Sequence, residues 1–234
     1  MRTLFRHFWL PFYRRWALKY IQQAHTYKYA GLQLNIPPDV FHPGVFFSSP
    51  IFISFLQKID FQGKKVLDVG TGSGFLALFC AQNGAIATAL DINPLAVETA
   101  RENAQANNLP LEVLESDLFD LLSPQHFDFI LINPPYYPRS PHNFAEHAFF
   151  AGENLEYFEK LFAQLPNYIL PNPAATRDEA QQLTNIWLIL SEDCLFFNIQ
   201  EIAARNNFIL HSVFEKKKWG ERFFIAQADQ VRMI

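Results

Sequence analysis

From Lys64 onward, short apolar runs alternate with longer amphipathic stretches, and few folds accept that rhythm. The apolar runs fall near 64–69, 86–91, 110–115, 127–132, 186–191, 208–214 and 222–227. Helical periodicity occupies 74–83, 94–107, 154–169 and 198–206. Strands separated by helices of this length cannot pair as hairpins. Each crosses over to run parallel to its neighbour, which buries both faces of the sheet. Only residues 215–221 separate the last two runs, so these pair as a hairpin and the final strand is antiparallel. The expected fold is α/β, a doubly wound sheet of seven mainly parallel strands.

The chain ahead of that pattern has a different texture. Residues 1–28 read as a basic aromatic helical arm, 29–60 as a lead-in hairpin and helix, and 61–234 as the main domain. In the arm, helical periodicity over 2–23 is interrupted at Pro11. Leu4, Phe8, Phe12, Trp16 and Tyr20 recur every fourth residue as one stripe. An interfacial membrane helix has the same pattern, but a large folded body offers that stripe a natural partner. Residues 27–36 predict a short strand pair before Pro37 and Pro38, and a helix is expected over 51–58. Residues 171–182, rich in breakers, read as a surface insertion.

Composition narrows the function classes. With 50% hydrophobic and 18% charged residues the chain has ample core, and disorder is excluded. The six basic side chains of residues 1–28 have no acidic counterpart, leaving 13 basic against 23 acidic groups elsewhere. A body of net charge −10 is not that of a protein holding long duplex nucleic acid by its phosphates. The arm alone keeps RNA or an anionic surface in play. No apolar run approaches a membrane span, and the N-terminus lacks a signal peptide's apolar centre. Two cysteines, Cys80 and Cys194, form neither a disulfide framework nor a metal cluster and point to a reducing cytoplasm.

Chemistry is concentrated at the carboxyl ends of the first four predicted strands. The first ends in Asp68-Val69-Gly70-Thr71-Gly72-Ser73-Gly74 and opens a helix. Glycines there admit a ligand close to the backbone. A dinucleotide fingerprint would place its third glycine at position 75, where Phe75 stands, and the P-loop lysine is missing. Asp68 would repel a pyrophosphate and welcome a cationic ligand. Asp91 ends the second strand, where a carboxylate's paired acceptors suit the vicinal hydroxyls of a ribose. Asn93 before Pro94 has the form of a helix cap. Asp117 follows the third strand; its carboxylate suits an adenine amino group, with Leu118 or Phe119 against the ring.

The fourth strand runs into Asn133-Pro134-Pro135-Tyr136. Two prolines fix the backbone and remove two donors, so the carbonyls there are rigid. The Asn133 side-chain oxygen and the Pro134 carbonyl offer two acceptors to a planar NH₂ group, and Tyr136 offers a face for stacking. Withdrawing density from the N–H bonds rehybridises the nitrogen and exposes its lone pair. Arg139, just beyond, is positioned to orient an anionic substrate.

In this order and spacing, the four signals over residues 64–228 resemble the class I S-adenosylmethionine-dependent methyltransferases, Rossmann-like enzymes. The Asn-Pro-Pro-Tyr step is similar to that of members methylating the adenine exocyclic amine or the glutamine side-chain amide. The resemblance implies that Asp68, Gly70, Gly72 and Gly74 line the methionine end of the cofactor. Asp91, with Asn93 beside it, would hold the ribose, Asp117 and Leu118 the adenine. Asn133, Pro134, Pro135 and Tyr136 would hold the acceptor.

Residues 31–43, the segment Ala148-Phe149-Phe150-Ala151-Gly152-Glu153-Asn154-Leu155 and Trp219-Gly220-Glu221-Arg222 are similar to parts of the glutamine methyltransferases that modify translation release factors. The chain departs from the Arg-Pro-x-Thr-Glu signature of the bacterial enzymes, carrying instead the nine-residue run from His42 to Pro50. Its Pro43-Gly44-Val45-Phe46 resembles ribosomal-RNA guanine N-methyltransferases.

The favoured reading is methyl transfer from S-adenosyl-L-methionine to a planar amide or amino nitrogen, with a protein glutamine, as in a translation factor, as acceptor. The alternatives are an RNA or DNA base (adenine N6 or guanine N2) and a non-catalytic donor-binding protein. His42, His142 and His147 flank the expected site, but no pair has metal-ligand spacing, so no metal is expected. Lys216-Lys217-Lys218 reads as a solvated loop, with phosphate contact the sharper alternative.

Overall fold

The structure is a computed structural model that describes residues 16–17, 19–169 and 184–231. Most of the predicted arm helix and the 171–182 insertion lie outside the described residues; residues 16–17 and 19–20 are helical.

Two sheets form. The lead-in pair is an antiparallel hairpin of β1 (His25–Tyr29) and β2 (Leu32–Ile36). The main sheet has seven strands: β3 (Lys65–Val69), β4 (Ile86–Asp91), β5 (Glu112–Glu115), β6 (Phe129–Ile132), β7 (Asn185–Ser191), β8 (Phe208–Lys218) and β9 (Glu221–Gln230). Their order is β5-β4-β3-β6-β7-β9-β8, and β9 is antiparallel to both its neighbours. The alternation of apolar runs therefore gives the expected sheet, including its single reversed strand.

Among the described residues, six helices cover it. On one face lie α1 (Ser48–Leu56), α2 (Phe75–Gln82) and α3 (Pro94–Ala106), together with the β1–β2 hairpin. On the other lie α4 (Glu156–Gln164), α5 (Pro166–Ile169) and α6 (Phe196–Arg205). Central strands read BBBB in burial, as a two-sided sheet requires, and Phe52, Phe61, Phe158 and Phe162 fill the two layers without exposed surface.

Three expectations need correction. Helix α1 starts three residues early, because Pro50 is tolerated in a first turn that has no intrahelical use for its N–H. The helix expected over 154–169 divides at Pro166 into α4 and α5. Residues 215–218 are not a loop, since β8 continues to Lys218 and only Trp219 and Gly220 make the turn. The lysines hide a strand because β8 is the outer edge of the sheet, where charged side chains reach solvent and deter edge pairing.

The order reverses between β3 and β6. Chain connections run β3 to β4 to β5 in one direction and β6 to β7 in the other. Helices on opposite faces diverge at such a point and leave a crevice over the strand tips. Val69 pairs with Ile132 across this boundary, so the next residues, Gly70 and Asn133, leave the sheet side by side.

Candidate active site

One cavity lies at that crevice, lined among others by Asp68, Gly70, Gly72, Asp91, Asn93, Asp117, Leu118, Asn133 and Pro135. Residues from four strand tips thus meet at one place, as the spacing predicted. The glycine turn is its floor. Gly70 has φ of +72°, and a Cβ built there meets nothing within 4 Å, so a side chain would project into open space. Gly72, also left-handed, faces Phe41. Gly74 does not line the cavity. It begins α2 in the left-handed region, and a Cβ there would press on Ala100 at 3.2 Å, so this glycine lets α2 pack on α3.

The two carboxylates are held differently. Asp68 is 1% exposed; its Oδ2 accepts from the Thr71 hydroxyl at 2.7 Å and the Ala77 N–H at 3.1 Å, while Oδ1 has no partner among the described residues. Burial pushes its carboxyl up to about 7, against those two bonds and with some repulsion from Asp91. Asp91 accepts from the Gly72 N–H through Oδ2 at 2.8 Å and from the Asn93 N–H through Oδ1 at 2.9 Å. Each oxygen keeps a lone pair for a diol. Burial raises this carboxyl too, opposed by the backbone bonds and by the nearby His147. Asn93 caps α3 by accepting from the Leu95 N–H at 3.0 Å and donates to the Asp39 carbonyl, tying the lead-in segment to the rim.

Asp117 lines the cavity half-exposed and paired with Lys160 at 2.7 Å. Leu118, in the left-handed region at φ 52°, turns a buried side chain under the same wall. The Asn133 side chain donates through Nδ2 to the Ser49 hydroxyl at 3.1 Å, which leaves Oδ1 uncommitted.

Besides Gly74, three expected residues stand elsewhere. Pro134 is buried and does not line the cavity. Tyr136 packs against the core, where burial raises its phenol and Ser191 is a hydrogen-bond partner. Arg139 is not brought to the cavity; it pairs with Glu146 at 3.7 Å and lies over the Phe150 ring at 4.6 Å, because Tyr137 and Arg139 bridge to Phe150 and Gly152.

Those bridges bring in residues that sequence reasoning missed. A 3₁₀ turn, Phe144–Ala148, presents Phe144 to the cavity beside His147, which the sequence already placed near the site. Tyr157, in the first turn of α4, also lines it; burial and the nearby Asp91, Asp117 and Asp68 all raise its hydroxyl. Nothing local marks Tyr157, which is distant in sequence from all three acids. Asp39, Phe41, Ser49, Thr71 and Ser116 complete the wall. Of the flanking histidines, His147 alone lines the cavity; His42 is buried against Tyr20, His25 and Tyr27. Among the described residues no cluster has the makings of a metal site, and no helix is long and apolar enough to cross a membrane.

The family profile described as the methyltransferase small domain matches residues 32–156, more than half of the chain. The chain belongs to the methyltransferase small-domain family. It is similar to a Methanocaldococcus jannaschii protein provisionally named protein N5-glutamine methyltransferase, 35% identical over 145 residues, or 59% of this chain and 71% of that one. It is 46% identical over 121 residues to a release factor glutamine methyltransferase of Streptococcus pneumoniae, of whose length it spans 42%. The fold matches T. thermophilus 16S rRNA N2 G1207 methyltransferase, solved with AdoMet and guanosine, at a TM-score of 0.60 and 19% identity, over 89% of this chain and 50% of that one.

The small-domain methyltransferase site fits S-adenosylmethionine on its own geometry. An open cradle over Gly70, a buried carboxylate oxygen at Asp68 with no partner among the described residues, and a doubly supported Asp91 suit a backbone approach, a cation and a ribose in turn. When bound, that donor supplies an electrophilic methyl group on a sulfonium leaving group.

Proposed function

We propose that the chain is an S-adenosylmethionine-dependent N-methyltransferase whose acceptor is a planar amide nitrogen, a protein glutamine side chain of the kind carried by a translation factor. The reading rests on one juxtaposition: Asn133, its amide nitrogen turned to Ser49, opens from the strand tip beside Gly70. An NH₂ group received there meets oxygen acceptors next to the donor cradle. These acceptors withdraw density from its N–H bonds and stabilise positive charge developing on nitrogen. No strong base is required beforehand, because the nitrogen becomes acidic only once it carries the fourth substituent. The rest of the task is alignment and exclusion of water by Phe41, Phe144 and Tyr157. Asp68, Gly70 and Gly72 are assigned to the methionine end of the donor, Asp91 to the ribose, and Asp117 with Leu118 to the adenine. Sequence likeness to two proteins named for glutamine methylation supports the amide over a base.

The test follows labelled methyl groups from S-adenosylmethionine into a lysate. Label removed by protease and resistant to nuclease supports a protein acceptor, whereas nuclease-sensitive label moves the assignment to a nucleic-acid base. Asn133→Ala is expected to abolish transfer with the donor dissociation constant within about twofold, because its amide contacts the acceptor. Tight donor binding by the wild type without any turnover would leave a binding protein.

A further inference from the structure

We infer that Ser49 is a positioning residue for methyl transfer, fixing which end of the Asn133 carboxamide meets the acceptor. This rests on the proposed clamping role of Asn133. A carboxamide is nearly symmetric in shape and opposite in chemistry at its two ends. A half-turn about its last bond exchanges an acceptor for a donor, and an NH₂ presented to an incoming NH₂ rejects it. Something must therefore hold the nitrogen away from the acceptor.

Ser49 does this from a segment 84 residues distant. Its hydroxyl accepts from Asn133 Nδ2 at 3.1 Å, and both side chains line the cavity. Ser49 is itself fixed: it lies in the first turn of α1, is 5% exposed, and the helix below is anchored by Phe52, Ile53 and Leu56, all fully buried. The turn before it is closed by Val45 and Phe46 N–H groups donating to the His42 carbonyl, and by the Gly44 N–H donating to His42 Nδ1. The nine-residue run from His42 to Pro50 thus delivers one oxygen to the tip of β6. Without that oxygen the carboxamide loses the hydrogen bond that holds Nδ2 toward α1, and its NH₂ is free to turn into the open cavity. That is the orientation that refuses the substrate.

Ser49→Ala, Ser49→Thr, Asn133→Ala and the Ser49→Ala/Asn133→Ala double variant separate the possibilities, in the full chain. The probe is labelled S-adenosylmethionine with the lysate fraction that takes its methyl group. Ser49→Ala is expected to lower acceptor kcat/KM roughly tenfold, the effect of one neutral hydrogen bond. Its donor dissociation constant stays at the wild-type value, which also reports an intact fold. Ser49→Thr, which keeps the hydroxyl, returns most of the rate, and the double variant is no worse than Asn133→Ala alone. Wild-type transfer by Ser49→Ala alongside an inactive Asn133→Ala overturns the role of Ser49 and leaves the clamp standing. Full activity in Asn133→Ala overturns the clamp itself. A structure of Ser49→Ala in which Nδ2 still faces residue 49 would count equally against the inference.

Discussion

Asp68, buried, and Asp91, partly exposed, both stand at strand tips, yet the structure holds them differently. Asp91 spends a lone pair of each oxygen on backbone N–H groups and so is fixed in direction. Replacing it with alanine removes two charge-assisted partners of a diol, and donor affinity should fall by about a hundredfold in calorimetry. Asp68 keeps one oxygen bare, and burial has raised its carboxyl to about 7. An unfolded aspartate titrates near 4. Between those values the folded chain holds a proton that the unfolded chain has released, so stability falls as pH rises from about 4 to about 7 and then levels off. A cationic ligand favours the ionised form. Donor binding should therefore weaken as pH falls below 7 and release a proton there, measurable by calorimetry in buffers of different ionisation enthalpy. Asp68→Asn should lose both dependences. Asp68, Asp91 and Asn133 were legible in the sequence because each ends a strand. Tyr157 and Ser49 were not: Tyr157 sits in a stretch whose pattern says only helix, and Ser49 ahead of the helix that the pattern marked.

At the scale of elements, the lead-in hairpin is held by a device the sequence conceals. Asn103 and Asn107 lie one turn apart on α3. Asn103 accepts from the Asn35 N–H at 2.8 Å and donates to the Asn35 carbonyl at 3.1 Å; Asn107 does the same with Gln33 at 3.0 and 2.8 Å. Two carboxamides thus extend the β2 ladder onto a helix, replacing a missing strand. Asn103 also donates to the Ser73 carbonyl of the glycine turn and is fully buried. Asn103→Ala would leave these groups unmatched and should cost roughly 1–3 kcal/mol in denaturant unfolding. Sequence periodicity marks 94–107 as helical and gives neither asparagine a partner. Their burial depends on β2, more than sixty residues earlier. The extension of β8 to Lys218 escaped for a related reason: periodicity describes a strand by what it buries, and an edge buries little.

The whole molecule turns on one topological fact, the reversal of strand order between β3 and β6. It opens the crevice in which Gly70 and Asn133, the proposed donor cradle and acceptor clamp, stand side by side. A ligand held there binds the folded chain alone and adds stability by mass action. S-adenosylhomocysteine at a hundred times its dissociation constant should add about 2.7 kcal/mol. In a thermal scan that corresponds to roughly 5–11 °C for a chain of this size, and an unmoved midpoint would argue against the donor site.

The sequence alone determined the sheet, its single reversed strand and which polar residues stand at its tips. Periodicity and turn residues are local, and every signal lay within a few positions of the structure it produced. The tertiary structure decided which tips meet, which way Asn133 faces, and that Arg139 and Tyr136 are drawn off by Glu146, Phe150 and the core. Those outcomes depend on contacts between segments far apart along the chain, whose geometry is set only when both faces of the sheet are packed.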